Sequence, residues 1–245
     1  MQKIKDFIKE RPLLYDNLFK LKRCLGLGAK SLIFSALDDF SKSHERKIKF
    51  IQIGTNDGLR NDPIREFIIR DNWSGLLIEP LPYAYNELKR NYSGYSHKNL
   101  SFLNAAVSTH SLNFWTFNAD YLDSLSKEDR MDHLRKSSFS KEHLYKFFGD
   151  NPNIDRIIDS IPVRCLTFKQ LVVEYWDHSD INLLVIDAEG HEKNILNCMI
   201  NSDIHPGAIL YEQHNLDSES EVETLLVQHG YKVENLGGDA FAQLQ

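Results

Sequence analysis

The chain has 245 residues, a formal net charge of −6, 42% hydrophobic residues and 26% charged residues. This length fits one large α/β domain and leaves little room for a second one. A nucleic-acid partner is not expected, because binding to phosphates requires a basic surface. The three cysteines are scattered, no apolar run approaches the ~20 residues of a membrane helix, and no signal-peptide pattern follows Met1. These features predict a cytoplasmic protein.

Residues 1–47 are predicted to form an N-terminal helical cap. Pro12 and the Gly26-Leu27-Gly28 stretch interrupt its helices. Basic residues outnumber acidic ones between Lys3 and Lys30, on segments that also carry apolar side chains. The simpler interpretation is a cap packed on the domain with its bases in solvent. The alternative is peripheral contact with a membrane surface or an anionic partner.

Residues 48–245 are predicted to form one domain in which strands and helices alternate. Such alternation is typical of a parallel sheet with right-handed crossovers. A polar, charged segment at about 119–160 is predicted to be a helical insertion. Turn residues near Gly237 indicate a terminal hairpin. Extended segments are expected at 49–53, 75–79, 101–107, 112–117, 181–186 and 208–211, and in the hairpin at 231–236 and from 241 onward.

Polar residues and glycines follow several of these strands at the point where each ends. Ligands of parallel α/β sheets bind at the carboxyl ends of the strands. That edge is expected to carry Gly54, Glu79, Asn104, Asp187 and Glu212. The two glycines of the loop from Gly54 to Gly58 would let the backbone approach a nucleotide-like ligand.

The acidic residues at this edge discriminate between nucleotide ligands. The loop lacks the full G-x-G-x-x-G pattern, and Asp57 places a carboxylate where a pyrophosphate would lie. Glu79 is placed to accept hydrogen bonds from two ribose hydroxyls. Crowded carboxylates favour a cationic ligand such as S-adenosylmethionine over NAD. An NAD(P)-dependent oxidoreductase and a non-catalytic nucleotide-binding protein are the alternatives.

Four segments together resemble the FkbM family of class I S-adenosylmethionine-dependent methyltransferases, over about residues 48–237. They are Phe50-Ile51-Gln52-Ile53-Gly54-Thr55-Asn56-Asp57-Gly58, Leu77-Ile78-Glu79-Pro80, Asn104-Ala105-Ala106-Val107 and Ile186-Asp187-Ala188-Glu189-Gly190-His191-Glu192. The resemblance implies a Rossmann-like fold with a mostly parallel seven-stranded sheet and a C-terminal antiparallel hairpin. It also implies methyl transfer to a hydroxyl of a sugar, glycan or glycosylated natural product.

The resemblance further implies roles for individual residues. Glu79 would bind the ribose of the donor, Asn104 and Ala105 the adenine edge, and Asp187 would line the transfer site. The methionine part would contact the loop of Gly54, Thr55, Asn56, Asp57 and Gly58. Gln52 departs from the pattern, because many class I enzymes carry an acid at that position.

A hydroxyl acceptor calls for a general base near the transferred methyl group. His191, just beyond Asp187, is the first candidate and Glu189 the second, although His191 could equally cap the following helix. A divalent metal such as Mg²⁺ is the competing mechanism, with Asp187, Glu212 and His214 as its ligands. The acceptor, the methylated position and the oligomeric state do not follow from the sequence.

Overall fold

The computed structural model describes residues 11–24, 31–95, 99–110, 113–176, 180–213 and 219–245. Hydrophobic runs form the strands, and most of the central ones are buried along nearly their whole length. In chain order, the strands are β1 Lys49–Ile53, β2 Ser74–Ile78, β3 Leu100–Leu103, β4 Ala106–Val107, β5 Asn113–Phe117, β6 Ile158–Pro162, β7 Cys165–Leu166, β8 Leu183–Ile186, β9 Ala208–Glu212, β10 Tyr231–Asn235 and β11 Asp239–Leu244.

The main sheet has seven strands in the order β10-β11-β9-β8-β1-β2-β3. The strands from β9 to β3 in this order pair in parallel, whereas β11 runs antiparallel to both β9 and β10. The predicted fold class is therefore confirmed: a Rossmann-like, mostly parallel sheet with a C-terminal antiparallel hairpin.

Helices cover both faces of the sheet. They are α1 Pro12–Cys24, α2 Leu32–Ser43, α3 Arg65–Asp71, α4 Pro82–Tyr92, α5 Ala119–Ser124, α6 Lys127–Leu134, α7 Lys141–Phe148, α8 Ile154–Ile157, α9 Phe168–Tyr175, α10 Glu192–Ile200 and α11 Glu219–Gln228. Neighbouring residues of β1 point to opposite faces, so Phe50 packs with α2 to α4, and Ile51 packs with α9 to α11. The strand ends are thereby fixed from both sides.

The expected strand at 101–107 is divided in two. β3 ends at Leu103 and belongs to the main sheet, whereas Ala106 and Val107 pair with β7 in a separate two-stranded sheet. Between them, the side-chain amide of Asn104 donates hydrogen bonds to the carbonyl oxygens of Glu79 and Pro80, at 2.8 and 2.9 Å. These bonds fix the point at which the chain leaves the main sheet.

The segment at 119–160 consists of the helices α5 to α8 up to Ile157. The chain then turns into β6, which pairs antiparallel with β5 from Phe117–Ile158 to Asn113–Pro162. The helices of the insertion are thus held between two paired strands, although the composition of residues 158–160 predicted a helix. The partner strand lies some forty residues earlier in the chain, so local composition could not indicate this pairing.

The N-terminal helices pack on the sheet domain. α2 buries Phe34, Leu37 and Phe40 in the core. α1 is held by Asp16, whose carboxylate accepts hydrogen bonds from Nε and Nη2 of buried Arg65 at 3.0 and 2.9 Å. Outward-facing apolar side chains on α1 are Leu13, Leu14 and Leu21. Among the helices of the described ranges, none is long and apolar enough to span a bilayer.

Candidate active site

A cleft opens at the carboxyl edge of the sheet, between the loops that follow β1 and β8. Its empty volume, counted out to the mouth and including open solvent, is about 780 Å³. The insertion closes one side of it with Leu134 and Phe139. Predicted site residues that line the cleft are Gly54, Thr55, Asn56, Glu79, Asp187, Glu189 and His191.

Gly54 brings the β1 loop into direct contact with the β8 loop. Its φ is +81°, and a Cβ at this position would lie 1.7 Å from the backbone carbonyl oxygen of Asp187. Gly58, at φ +60°, would place a Cβ 2.4 Å from Cδ1 of Leu88. Both glycines are therefore required by the packing of the loop. From the sequence, they were explained instead by close approach of the backbone to a ligand.

Glu79 is held rigidly at the end of β2. Its Oε2 accepts a hydrogen bond from the backbone N–H of Asn56 at 2.8 Å, and its Oε1 accepts one from Leu81 at 2.9 Å. Burial raises the pKa of Glu79 to about 7 despite these bonds, and the charge of Asp57 adds to the rise. Each carboxylate oxygen retains a free lone pair, so Glu79 can still accept from ligand hydroxyls.

Asp57 and Gly58 do not line the cleft among the residues that the structure describes. Oδ1 of Asp57 instead accepts hydrogen bonds from the N–H groups of Leu59 and Arg60, at 3.0 and 3.1 Å. Asp57 thus shapes the loop whose neighbouring residues face the cleft. Direct contact of Asp57 or Gly58 with a donor stays a prediction.

Asn104 and Ala105 are not among the residues that line the cleft. The amide of Asn104 is engaged with the backbone after β2, and Ala105 is buried. The cleft wall at this level is formed by Ala106 and Val107. An adenine contact by Asn104 or Ala105 therefore also stays a prediction.

His191 is a buried imidazole in the cleft wall. Its ring centroid lies 4.5 Å from that of Phe139, and its Nδ1 lies 3.2 Å from the side-chain amide of Asn194. Nε2 has no hydrogen-bond partner among the described residues. Burial lowers the pKa of His191 to about 4, so the ring is neutral near pH 7. Although His191 occupies the N-cap position of α10, its side chain makes no capping hydrogen bond.

Glu189 is engaged by the insertion. Its carboxylate accepts from Nζ of Lys136 at 2.9 Å and pairs with Nε2 of His143, also at 2.9 Å. Its backbone carbonyl accepts from Oγ of Ser138 at 2.8 Å. Burial raises the pKa of Glu189, but the contacts with His143 and Lys136 outweigh it and hold the pKa below the usual value. Glu189 therefore ties the insertion to the β8 loop, and its carboxylate is already engaged by two partners.

Asp187 belongs to a cluster of acids. One carboxylate oxygen each of Asp187, Glu192 and Glu212 lies within 4.8 Å of the others. Burial and the neighbouring carboxylates, Glu212 foremost, raise the pKa of Asp187 well above its usual value. Glu192, which the sequence did not mark as a site residue, joins the predicted ligands Asp187 and Glu212 in this cluster. The third predicted ligand, His214, lies outside the described residues.

Glu192 also organises the β8 loop. Its Oε1 accepts a hydrogen bond from the N–H of Ala188 at 2.7 Å, and its Oε2 accepts one from Gly190 at 3.0 Å. Burial raises its pKa to about 7. One feature of the sequence could have identified Glu192: it is a glutamate in the first turn of the helix that follows a D-x-E-G loop. From there its side chain can fold back onto the free N–H groups of the loop.

A second, larger cavity adjoins the cleft, with an empty volume of about 1460 Å³ up to its mouth. Tyr15 of α1 and Ile33 of α2 form part of its wall, so the N-terminal helices contribute to the site. Glu212 and Asp239 contribute from the sheet edge. Residues that border both cavities are Arg60, Asn61, Pro63, Arg135, Asp187 and Glu189.

Comparison with known proteins gives a family match. Residues 52–233 match the family described as Methyltransferase FkbM domain. None of the curated proteins compared matches this sequence.

Three solved structures are among those similar to this chain. Methyltransferase FkbM from Methylobacillus flagellatus KT is 8% identical at a TM-score of 0.47; the match covers 81% of this chain and 44% of that chain, less than half of its length. A SAM dependent methyltransferase from Aquifex aeolicus is 11% identical at a TM-score of 0.43, over 88% and 91% of the two chains. An rRNA methylase from Streptococcus thermophilus is 8% identical at a TM-score of 0.44, over 89% and 99%.

Proposed function

Since this chain belongs to the FkbM methyltransferase family, whose domain it matches over residues 52–233, we propose that it transfers a methyl group from S-adenosylmethionine to a hydroxyl of a sugar, glycan or glycosylated natural product. Family membership assigns methyl transfer and disfavours the oxidoreductase alternative. What we propose beyond family membership is that the methylated group is a hydroxyl and that the acceptor contains a sugar. Both proposals rest on the residues around the transfer site.

The cleft fits a cationic donor with a ribose. Glu79 presents an immobile carboxylate with free lone pairs, suited to ribose hydroxyls. Burial and the neighbouring carboxylates oppose the ionisation of Asp187, and a positive ligand group beside it would favour its charged form. The donor, when bound, supplies a methyl group on a positively charged sulfur.

The proposal of O-methylation rests on the position and the protonation state of His191. Its Nε2 lies buried in the cleft without a partner among the described residues, and burial keeps the ring neutral near pH 7, with one ring nitrogen protonated and the other free. A neutral hydroxyl must lose its proton as its oxygen gains the methyl group, and Nε2 can accept that proton. Nε2 is the free nitrogen in the tautomer that carries its hydrogen on Nδ1, for which the side-chain amide of Asn194 must present its oxygen to the ring. Glu189, the other candidate, is already committed to Lys136 and His143.

The surroundings also suit a sugar. The apolar rings of Phe114 and Phe139 line the cleft, and the larger cavity adds Tyr15 together with carboxylates. Sugars present apolar faces and many hydroxyl donors, which aromatic rings and carboxylates can bind. The larger cavity provides room for an acceptor in addition to the donor.

A divalent cation is the competing way to activate the hydroxyl. Asp187, Glu192 and Glu212 would hold it, because oxygen ligands of this kind suit Mg²⁺. Such an ion would lower the pKa of a bound hydroxyl. Under the His191 mechanism, excess EDTA leaves the methylation rate unchanged. Loss of activity with EDTA and its recovery with Mg²⁺ would assign the cluster as a metal site.

The proposal is tested by locating a transferred label. The protein is incubated with donor carrying a deuterated methyl group and a panel of glycosides, each paired with its amino-sugar counterpart. We expect a mass increase in the hydroxyl glycosides, with fragmentation placing the label in a methyl ether. Label found only on amino nitrogen would contradict O-methylation, and label on aglycones alone would contradict the sugar acceptor.

A further inference from the structure

Two arginines stand where the cleft meets the larger cavity. Arg60 lies on the loop after β1, and Arg135 is the C-cap residue of α6 in the insertion. Both side chains line both cavities. A ligand group between them would therefore be reachable from the donor side and from the acceptor side.

Both guanidinium groups have unused donors. Within the part of the chain that the structure describes, the buried Nε of Arg60 and that of Arg135 have no hydrogen-bond partner. The side chain of Arg60 is only 9% exposed. A buried N–H without a partner is costly, so such donors normally meet an acceptor on a protein or ligand group.

The two groups lie close together around one carboxylate. Oδ1 of Asp132 lies 3.0 Å from Nη2 of Arg135 and 4.0 Å from Nη1 of Arg60. Asp132 is half-exposed and can turn toward solvent. Oδ2 of Asp57 lies 3.8 Å from Nε of Arg60, beyond hydrogen-bond distance, and balances part of its charge, while Oδ1 accepts from backbone N–H groups of its own loop.

We propose that Arg60 and Arg135 form a binding site for a ligand carboxylate or phosphate at the junction of the two cavities. A guanidinium pair suits such groups because its planar forks donate to two oxygens at once. The anion has two possible sources: the carboxylate of the donor's methionine part, or an acidic group on the acceptor. The anion site itself does not depend on the proposed function. Only the choice between donor and acceptor as the source of the anion rests on it.

The test measures binding of inorganic phosphate by calorimetry at constant ionic strength. Arg135→Gln is expected to weaken phosphate binding about tenfold, as for loss of a charged hydrogen bond. Asp132→Asn removes the competing carboxylate and is expected to tighten binding about threefold. Arg164→Gln is the control, because Arg164 is half-exposed and pairs with Glu174 at the surface.

Opposite effects of two substitutions at one site cannot arise from misfolding. Equal phosphate affinity in the wild type, Arg135→Gln and Asp132→Asn would overturn the proposal, as would the absence of phosphate binding to the wild type. An intact melting temperature for each variant confirms that it is folded.

A competition experiment then identifies the source. If the donor carboxylate occupies the site, phosphate weakens binding of S-adenosylhomocysteine but leaves binding of 5′-methylthioadenosine, which lacks the amino-acid part, unchanged. If the acceptor supplies the anion, phosphate leaves both affinities unchanged. Arginine-dependent phosphate binding without any S-adenosylhomocysteine binding would retain the anion site and reject the proposed function.

Discussion

The α-carbon of Gly54 faces the backbone carbonyl of Asp187 so closely that a Cβ would lie 1.7 Å from its oxygen. This contact joins the loop after β1 to the loop after β8, and these strands are neighbours in the sheet. The two loops carry the cleft residues Thr55 and Asn56 on one side and His191 on the other. The width of the cleft thus depends on a glycine at position 54.

Gly54→Ala is expected to lower the free energy of unfolding by about 2–4 kcal/mol, because the methyl group overlaps backbone atoms and φ is positive. Urea denaturation measures the change. The same substitution should abolish S-adenosylhomocysteine binding, because the loops must separate to make room.

Gly237→Ala is the matched control for that substitution. Gly237 has φ +99°, but a Cβ there would meet nothing within 4 Å. Gly237→Ala should lower the free energy of unfolding by only about 1–2 kcal/mol, because of the left-handed backbone, and should leave S-adenosylhomocysteine binding intact. Equal losses in the two variants would show that the contact with Asp187 is unimportant.

The pKa of Glu79 gives a prediction for the pH dependence of stability. Burial raises this pKa from 4.5 to about 7 in the folded state. The protonated carboxyl therefore contributes stability fully below pH 4.5, and this contribution is lost as the pH rises to 7. Relative to Glu79→Gln, which cannot titrate, the wild type should lose about 1–3 kcal/mol of unfolding free energy over that range.

Urea titrations of both proteins at several pH values test this difference. Glu192, whose pKa is also raised to about 7, titrates in both proteins and does not affect the comparison to first order. A pH-independent gap between the two proteins would show that the pKa of Glu79 is ordinary.

Much of the fold and part of the site followed from local patterns. The buried strands Lys49–Ile53 and Leu183–Ile186, with glycine loops after them, predicted the parallel sheet and its functional edge. Glu79 was placed correctly at a strand end because a single acid follows a buried run.

Other features depend on contacts between distant segments. Glu189 was a plausible base from its position, yet its role depends on Lys136 and His143, which lie some fifty residues earlier. Nothing local to either segment predicts that pairing. The contribution of Tyr15 to the larger cavity likewise depends on how α1 docks.

His191→Asn should lower kcat by about 10²–10⁴-fold, because the variant has no group to accept the acceptor's proton. Asparagine fits the space and binds no proton near pH 7. The affinity for S-adenosylhomocysteine should stay within about threefold, since the donor pocket is intact. Steady-state kinetics and calorimetry measure the two quantities.

Chemical rescue supplies the further check on His191. Added imidazole should restore part of the lost rate in a smaller variant, His191→Gly, but not in wild-type protein. Full activity of His191→Asn without rescue would instead point to the acid cluster at Asp187.

The tie between Glu189 and the insertion should be visible in dynamics. Glu189→Gln loses the ion pair with Lys136, so amides in α6 and α7 should exchange with deuterium faster. Asp155→Asn serves as control, because Asp155 pairs with Lys141 on the same insertion but is largely exposed. Unchanged exchange in Glu189→Gln, or equal acceleration in both variants, would argue against this role.

Hydrogen–deuterium exchange of the wild-type protein with saturating S-adenosylhomocysteine tests the placement of the donor most directly. We expect protection in the loop at 54–58, around Glu79 and in the loop at 187–191, and no such protection with NAD. Protection confined to other parts of the chain, or the same protection with NAD alone, would contradict the cleft between Gly54 and Asp187 as the donor site.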